Sequence, residues 1–281
     1  MIEKRIRYAL LCFVFICIGW GCSSKEEGCL DYRASNFDFD ADKACADCCT
    51  YPSLYVDLNH FWQDTALFYS YPLNQAGGDD YFFITKAAVY LSEVHLHTPT
   101  DSVLMLDTML VDYFNDGQWN SDWIEDNFQW FERTNFNANK IGDVLLTDSL
   151  VGISYRIGIP ENYRILDTMI LNGGGSLRIQ PDGSNYNEDL GLVDGVLGFN
   201  RDTIQGLDTL QFQWTGSNYN YISFVNPGPP LVGLDLYMQL RIQYDECFLG
   251  VDIKNDDIST MSATFEQNIR SASYVDSIWY Q

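Results

Sequence analysis

Strict alternation of apolar and polar side chains is the strongest constraint on the fold of this chain. From residue 53 onward, Leu54, Val56 and Leu58 recur at every second position, and His60 and Trp62 continue the same series. Successive side chains of a β-strand point to opposite faces of the sheet, so a period of two indicates a strand with one buried face. Residues 53–62 therefore predict a β-strand.

Seven further segments have strand-type composition, and turn-forming residues separate them. They span residues 81–96, 103–111, 154–159, 175–179, 208–214, 234–244 and 249–253. Short strands at this spacing indicate a sandwich or barrel architecture. We predict an all-β chain in which residues 53–281 form a single β-sandwich domain. Helices are expected to be few, with one that starts within residues 257–265 and has Ser259 as its N-cap.

Two long stretches are predicted to be loop insertions and not core. Residues 113–140 are crowded with Asn, Asp and aromatic residues, and residues 172–206 are rich in Gly, Asn and Asp. Exposed aromatic rings among polar residues stack on sugars or contact partner proteins. The same rings also pack irregular loops onto a sandwich, so both interpretations stay open.

The first 21 residues predict a signal peptide that is removed on export. Lys4, Arg5 and Arg7 precede an apolar stretch at residues 8–21, which is too short for an ordinary transmembrane helix. The small residue directly before Cys22 resembles the end of a bacterial lipobox. This resemblance implies that Cys22 becomes the lipidated N-terminus, whereas a plain secretory signal with an incidental cysteine is the alternative.

Residues 23–27 resemble the short Lys-acidic-acidic export signal of lipoproteins of the Bacteroidetes group. That resemblance implies a lipid-anchored outer-membrane protein that faces the cell surface, with a periplasm-facing anchor as the alternative. The chain has 16 Lys and Arg against 39 Asp and Glu, a formal net charge of −23. Such a charge repels phosphate backbones and anionic lipid surfaces, so we exclude nucleic acid as a partner and expect cations to be favoured.

Residues 22–52 predict a tether and a small disulfide-rich neck. Four cysteines cluster in this segment: Cys29, Cys45, Cys48 and Cys49. In an exported chain such a cluster indicates two disulfides. Adjacent cysteines do not readily bond to each other, so Cys48 and Cys49 pair with the other two, and both possible pairings stay open. Cys247 is left over and is predicted to be a buried free thiol.

The neck also resembles a small Cys-rich module that is common in exported Bacteroidetes proteins, over residues 28–51. Asp38, Asp40 and Asp42 alternate as the carboxylates of calcium loops do, so calcium is a candidate ligand. A solvated acidic turn is the simpler interpretation, because neither the Gly nor the bidentate Glu of an EF-hand follows. A zinc site on the four cysteines is a third alternative.

Five segments of the body share features with one known family. They are residues 54–67, 74–96, 153–160, 248–252 and 268–272. In this order they resemble the methanobactin-associated copper-binding protein (MbnP-like) domain of exported bacterial lipoproteins. The second segment is the most specific, since it follows the family's signature with Glu93 where Asn or Asp is usual. The Met- and Trp-rich block of the family is missing, and residues 210–221 are only a diverged remnant of it.

The resemblance implies an exported β-sandwich that binds one copper ion through histidine, in some members beside a tryptophan oxidised to kynurenine. The chain has three histidines, His60, His95 and His97. By alternation His60 shares a face with Trp62, and His95 with His97, so two strands can present all four rings to one site. We predict these histidines as metal ligands, because imidazole suits copper and zinc, with Trp62 modified or beside the site. Alternatively, His60 is a hydrogen-bonded core residue and the other two are solvated.

No motif for catalysis stands out, and we expect no enzyme. Two classes of function stay open: a copper-binding envelope lipoprotein, and a surface adhesin or glycan-binding module without a metal. The expected partners are a metal ion, the membrane through the lipid anchor, and an envelope protein or glycan.

Overall fold

Two β-sheets packed face to face form the body of the protein. The computed structural model describes residues 25–69, 71–75, 81–105, 107–115, 117–134, 137–146, 148–164, 176–201, 209–216, 218–224 and 232–281. Cys22 and the predicted signal peptide lie outside the described residues. Within those residues, no helix has the length and apolar character needed to cross a membrane.

The strands are numbered in chain order. The first ten are β1 (Glu27–Gly28), β2 (Lys43–Ala44), β3 (Ser53–Trp62), β4 (Thr65–Ala66), β5 (Leu73–Asn74), β6 (Tyr81–His97), β7 (Ser102–Leu104), β8 (Thr108–Asn115), β9 (Gln118–Glu125) and β10 (Phe128–Glu132). The others are β11 (Asn139–Asp143), β12 (Gly152–Ile157), β13 (Tyr186–Asn187), β14 (Gly191–Leu192), β15 (Gly195–Asn200), β16 (Thr209–Trp214), β17 (Asn218–Ser223), β18 (Leu236–Gln243) and β19 (Ser273–Tyr280). The helices are α1 (Glu161–Arg164), α2 (Tyr244–Cys247) and α3 (Ile258–Asn268).

The larger sheet is built around β6, a strand of 17 residues. Its main path runs β16-β15-β6-β12-β17, and β5, β7 and β10 pair with other parts of β6. All of these pairings are antiparallel. One strand therefore fixes the position of almost the whole sheet.

The smaller sheet has the order β11-β3-β18-β19, with β4 paired to β3. In β3, buried and half-buried positions alternate along the strand, as the sequence predicts, and Leu54 and Val56 are fully buried. Strands β3 and β18 run parallel to each other, with Leu54 opposite Leu236. The predicted strand at residues 53–62 is confirmed.

The main core lies between the two sheets and confirms the β-sandwich. It joins side chains of the smaller sheet with side chains of the larger sheet and of α3, among them Val56, Leu240, Leu91, Tyr155 and Phe265. A second, smaller core lies on the outer face of the larger sheet, where Tyr90 and Trp130 are buried. Met109 and Ile124 of the β8–β9 hairpin pack against this second core.

Three of the predicted strands need correction. Residues 103–111 form two strands that belong to different sheets, β7 and β8. The described part of 175–179 is a turn, and residues 249–253 are turn and irregular structure after α2. A short apolar run does not identify a strand by itself, because a turn or irregular segment also buries some apolar side chains, as Leu177 and Ile253 do here.

The two predicted insertions contain strands of the larger sheet. Strand β10 lies within residues 113–140, and β15 lies within residues 172–206. All six residues of β15 are buried, so this segment shows no polar face and no period of two. Loop segments do surround both strands, but these parts of the two stretches are core.

Helix α3 lies where the sequence predicts a helix, but its N-cap is Asp257 and not Ser259. The carboxylate of Asp257 accepts a hydrogen bond from the Thr260 amide at 2.9 Å. It also accepts one from the Ser259 hydroxyl at 2.5 Å. A carboxylate at this position satisfies amides of the first turn, which explains why Asp257 begins the helix.

The neck holds two disulfides, Cys29–Cys49 and Cys45–Cys48, which is one of the two predicted pairings. Strands β1 and β2 pair in parallel beside them. Cys247 is buried and is not part of a disulfide, as predicted.

A buried ion pair anchors the segment that covers the second core. Arg164 at the end of α1 donates from Nη2 to both carboxylate oxygens of Asp194, at 2.9 and 3.1 Å. The Ile159 amide donates to the same carboxylate at 2.7 Å. Arg164 also contacts Glu161, which is exposed. Because the Asp194 carboxylate is inaccessible to water, only these protein donors stabilise its negative charge.

Replacing Arg164 with Ala is expected to lower the free energy of unfolding by about 3–5 kcal/mol, because it leaves a buried carboxylate without its countercharge. The matched variant Glu161→Ala removes only the exposed partner of the same guanidinium and should change stability by less than about 1 kcal/mol. Urea denaturation of both variants measures the difference. Equal effects of the two substitutions would show that the buried pair does not stabilise the fold.

Candidate metal site

A β-bulge shapes the end of β6 that carries His95 and His97. Ser154 of β12 lies opposite His95, whereas Arg156 lies opposite Ser92, so β6 has one extra residue at this point. Glu93 absorbs it with a left-handed φ of 48°. Among non-glycine residues, Asn and Asp adopt this conformation more readily than Glu does, so the backbone at Glu93 is less favourable than at its neighbours.

His95 and His97 lie side by side on the outer face of the larger sheet. Their ring centroids are 6.4 Å apart and the rings are within 24° of parallel. Both side chains are half-buried, and Leu96 between them points into the main core. The alternation that the sequence predicts for this pair is therefore confirmed.

Hydrogen bonds orient both imidazole rings. The Nδ1 atom of His95 lies 2.9 Å from the Glu93 carbonyl oxygen. Because a carbonyl only accepts, Nδ1 is the donor, and the neutral ring then carries its lone pair on Nε2. The Nε2 atom of His97 lies 2.7 Å from the Ser154 hydroxyl. A metal-binding histidine typically makes such a hydrogen bond with the ring nitrogen that does not bind the metal, since this bond fixes the tautomer and the direction of the ring.

Neighbouring side chains complete the surface around the pair. The ring of Tyr221 on β17 contacts His97 edge to face, with centroids 5.0 Å apart. Glu93 forms an ion pair with Arg156 at 2.5 Å, which offsets both charges. Partial burial lowers the pKa of His97, and the neighbouring His95 lowers it further. A neutral imidazole is the form that a metal ion binds.

His60 lies in a different environment, inside the core at only 4% exposure. Its Nδ1 atom is 2.8 Å from the Tyr244 hydroxyl, and the two rings stack at 5.6 Å. Its Nε2 atom is buried without a hydrogen-bond partner among the described residues. Burial lowers the pKa of His60 to about 3, and the Arg133 guanidinium adds to this effect. A nearby positive charge also opposes a bound cation.

The structure does not bring His60 together with His95 and His97. Trp62, two residues after His60, contacts Phe82 at the start of β6, with ring centroids 5.1 Å apart. His95 stands 13 positions further along the same strand, and at about 3.3 Å per residue this is roughly 40 Å. No set of three histidine, cysteine or acidic side chains that includes a histidine has its ligand atoms within 4.8 Å among the described residues. The expected common site of three imidazoles is therefore not formed.

Trp62 is a core residue at the His60 end. Its indole Nε1 donates to the Asn74 carbonyl at 3.1 Å, and its ring packs on Phe82 and Phe248. The geometry gives it no contact with His95 or His97. A role as a modified residue beside a copper ion stays a prediction that these contacts do not support.

The neck gives calcium no support. The Asp38 carboxylate accepts a hydrogen bond from the Asp40 amide, as in a turn. The carboxylates of Asp38, Asp40 and Asp42 do not form a group of converging ligands in the described part of the chain. Sulfur atoms do converge at Cys45, Cys48 and Cys49, within 4.8 Å of one another, but all three belong to disulfides.

Sequence reasoning missed the residues that orient the histidine pair. Ser154 and Tyr221 lie on other strands, and their proximity to His97 depends on the pairing of β6 with β12 and of β12 with β17. The sequence signal for the bulge was Glu93 itself, which stands where the signature that this segment resembles has Asn or Asp. The carbonyl of Glu93 carries no signal, since every residue has one.

Lowering the pH should destabilise the metal-free protein, because His60 is protonated more readily in the unfolded chain than in the fold. Its pKa is about 3 in the fold and about 6.5 in the unfolded chain. Between these values the His60 imidazole is protonated only in the unfolded chain. Lowering the pH below about 6.5 therefore reduces the free energy of unfolding by up to about 1.4 kcal/mol per pH unit. His60→Gln should remove this dependence.

Urea denaturation of the wild type and of His60→Gln between pH 7 and pH 5 measures the effect. Other titrating groups contribute equally to both proteins, so the difference between the two curves isolates His60. Parallel curves would mean that His60 is accessible to protons in the folded state.

Comparison with known proteins gives one distant match. No protein-family model matches the chain, and no curated protein matches it. Among solved structures the chain is similar to MbnP from Methylosinus trichosporium, with a TM-score of 0.42 and 11% sequence identity. The match covers 71% of this chain and 78% of that chain. A TM-score below 0.5 does not establish a common fold, so the match assigns neither a family nor a function.

Proposed function

We propose that the chain is an exported, lipid-anchored envelope protein with an MbnP-like β-sandwich that binds copper through His95 and His97. The observation that carries the proposal is the pair of parallel imidazoles on the outer face of β6, with centroids 6.4 Å apart. The MbnP-like sequence segments, which include this strand, support it independently.

The donor set fits copper. Imidazole nitrogens suit both copper and zinc, and Cu²⁺ binds such ligands more tightly than Zn²⁺ does. The body is strongly acidic, so its field attracts cations. His60 is the less suitable ligand, since it is buried at the other end of β6, beside Arg133.

The chain's own residues have separate tasks at this site. The Glu93 carbonyl holds the His95 ring in the tautomer with its lone pair on Nε2, and Ser154 orients His97. The Arg156 guanidinium pairs with the Glu93 carboxylate at 2.5 Å and offsets its charge. These contacts reduce the rotamer freedom that both imidazoles lose when they bind a metal.

Double substitution His95→Ala/His97→Ala should weaken Cu²⁺ binding by more than roughly 100-fold, because loss of a ligand exceeds the effect of losing an outer hydrogen bond. Competition with a chelator of known affinity, together with elemental analysis after dialysis, measures binding.

His60→Gln is the matched control and should retain one copper per chain. Thermal unfolding of the double variant shows whether the fold is intact. Copper retained in the double variant, or lost in His60→Gln, would contradict the assignment to the pair.

The proposed anchor is a lipid on Cys22 that holds the protein on the outer membrane, facing the cell surface. Its support is the signal-like N-terminus, the lipobox-like end and the acidic residues that follow Cys22. The alternative function, a surface adhesin or glycan-binding module without a metal, depends on other residues than the histidine pair.

Metabolic labelling with a palmitate analogue should label the wild type and not Cys22→Ala. The variant should also move from the membrane fraction to the soluble fraction. Protease treatment of intact cells then tests the direction in which the body faces, since only a surface-exposed body is digested. Label that persists in Cys22→Ala would exclude this cysteine as the anchor.

A further inference from the structure

The β8–β9 hairpin presents an aromatic face that the proposed copper site does not use. The cross-strand pairs are Leu110 with Trp123 and Asp112 with Ser121. Paired residues of antiparallel strands lie on the same face, and Trp119 belongs to that face by alternation. The exposed fractions are 70% for Trp123, 51% for Trp119 and 50% for Leu110.

The opposite face of the hairpin holds it to the body. Val111 is buried, and Met109 and Ile124 pack on the second core. The hairpin pairs with no other strand among the described residues. Its inner face is therefore anchored, and the face with Trp119 and Trp123 is directed away from the core.

A polar pair occupies the centre of this face. The Ser121 hydroxyl donates to the Asp112 carboxylate at 2.5 Å, between Trp119 on one side and the Leu110–Trp123 pair on the other. The face thus alternates between aromatic ring, hydrogen-bonding group and aromatic ring over the length of β9.

The charge of the hairpin restricts its partner. Residues 107–126 contain six acidic residues and no Lys or Arg. Phosphate headgroups, nucleic acids and acidic polysaccharides are repelled by such a segment. A neutral ligand is compatible with it.

The Asp112 carboxylate at the centre of this face favours a sugar as the ligand over an apolar protein surface or a neutral bilayer. Interface cores are depleted of charge, and burying Asp112 against apolar groups would leave a desolvated carboxylate. A sugar avoids this cost, because its hydroxyls donate hydrogen bonds to the carboxylate. The C–H faces of a pyranose ring are apolar and pack on aromatic rings.

We propose that the outer face of the β8–β9 hairpin binds a neutral glycan. Trp119 and Trp123 stack on its sugar rings, and Asp112 with Ser121 accepts hydrogen bonds from its hydroxyls. Binding is non-covalent and needs no metal.

Affinity electrophoresis of the chelator-treated mature protein tests the proposal, with soluble neutral β-glucan, xylan and galactomannan in the gels. At least one of them should retard the wild type. Trp119→Ala/Trp123→Ala should weaken that binding at least about tenfold, and Asp112→Asn should weaken it as well. Trp279→Ala is the matched control, since Trp279 is an exposed tryptophan on β19, and it should bind as the wild type does.

Three results would overturn the proposal: no retardation of the wild type by any of the polysaccharides, equal retardation of the double variant, or tryptophan-dependent self-association or binding to phosphatidylcholine vesicles in place of glycan binding. Trp123→Gln gives a milder second variant if the double variant does not fold. Trp119→Ala/Trp123→Ala should keep its copper, since neither tryptophan belongs to the proposed copper site. Failure of the glycan proposal and failure of the copper site are therefore distinguishable.

Discussion

Burial of β6 on both faces is the constraint on which the rest of the structure depends. Ala87, Val89 and Leu91 enter the main core, whereas Ala88 and Tyr90 between them enter the second core. A strand that is apolar on both faces needs cover on both sides. The smaller sheet covers one side, and the hairpin with the Arg164 segment covers the other. The segments between the strands therefore cover the outer face of β6 as well as connecting the strands.

The histidines of this chain have two different environments, and each environment follows from the position of the residue along the sandwich. His60 is enclosed where β3 ends against the start of β6, and desolvation keeps it neutral at the cost of an unsatisfied ring nitrogen. His95 and His97 stand where β6 passes beyond the bulge and its outer face reaches solvent. Only the second position combines two imidazoles with access for an ion.

Alternation predicted which face each histidine occupies, because a half-buried strand has a period of two. It did not predict where along the sandwich each residue lies, since the offset between two packed sheets leaves no mark on either strand alone. The neck's cysteine pattern left two disulfide pairings open, because the spacing of cysteines along the chain does not give their distances in space. Strand β15 was missed because all its residues are buried, and Gly195 is required there by the close approach of the Trp214 ring.

The parallel pairing of β3 with β18 has a consequence for biogenesis. Asp57 and Gln239 contact each other across 182 positions of sequence, and β19 closes the sheet at the very end of the described chain. Contacts of such long range form late and slowly, because a large loop must close first. The smaller sheet cannot complete itself until Ser273–Tyr280 has been synthesised. If the chain is exported as proposed above, this topology delays completion of the fold until β19 has crossed the membrane.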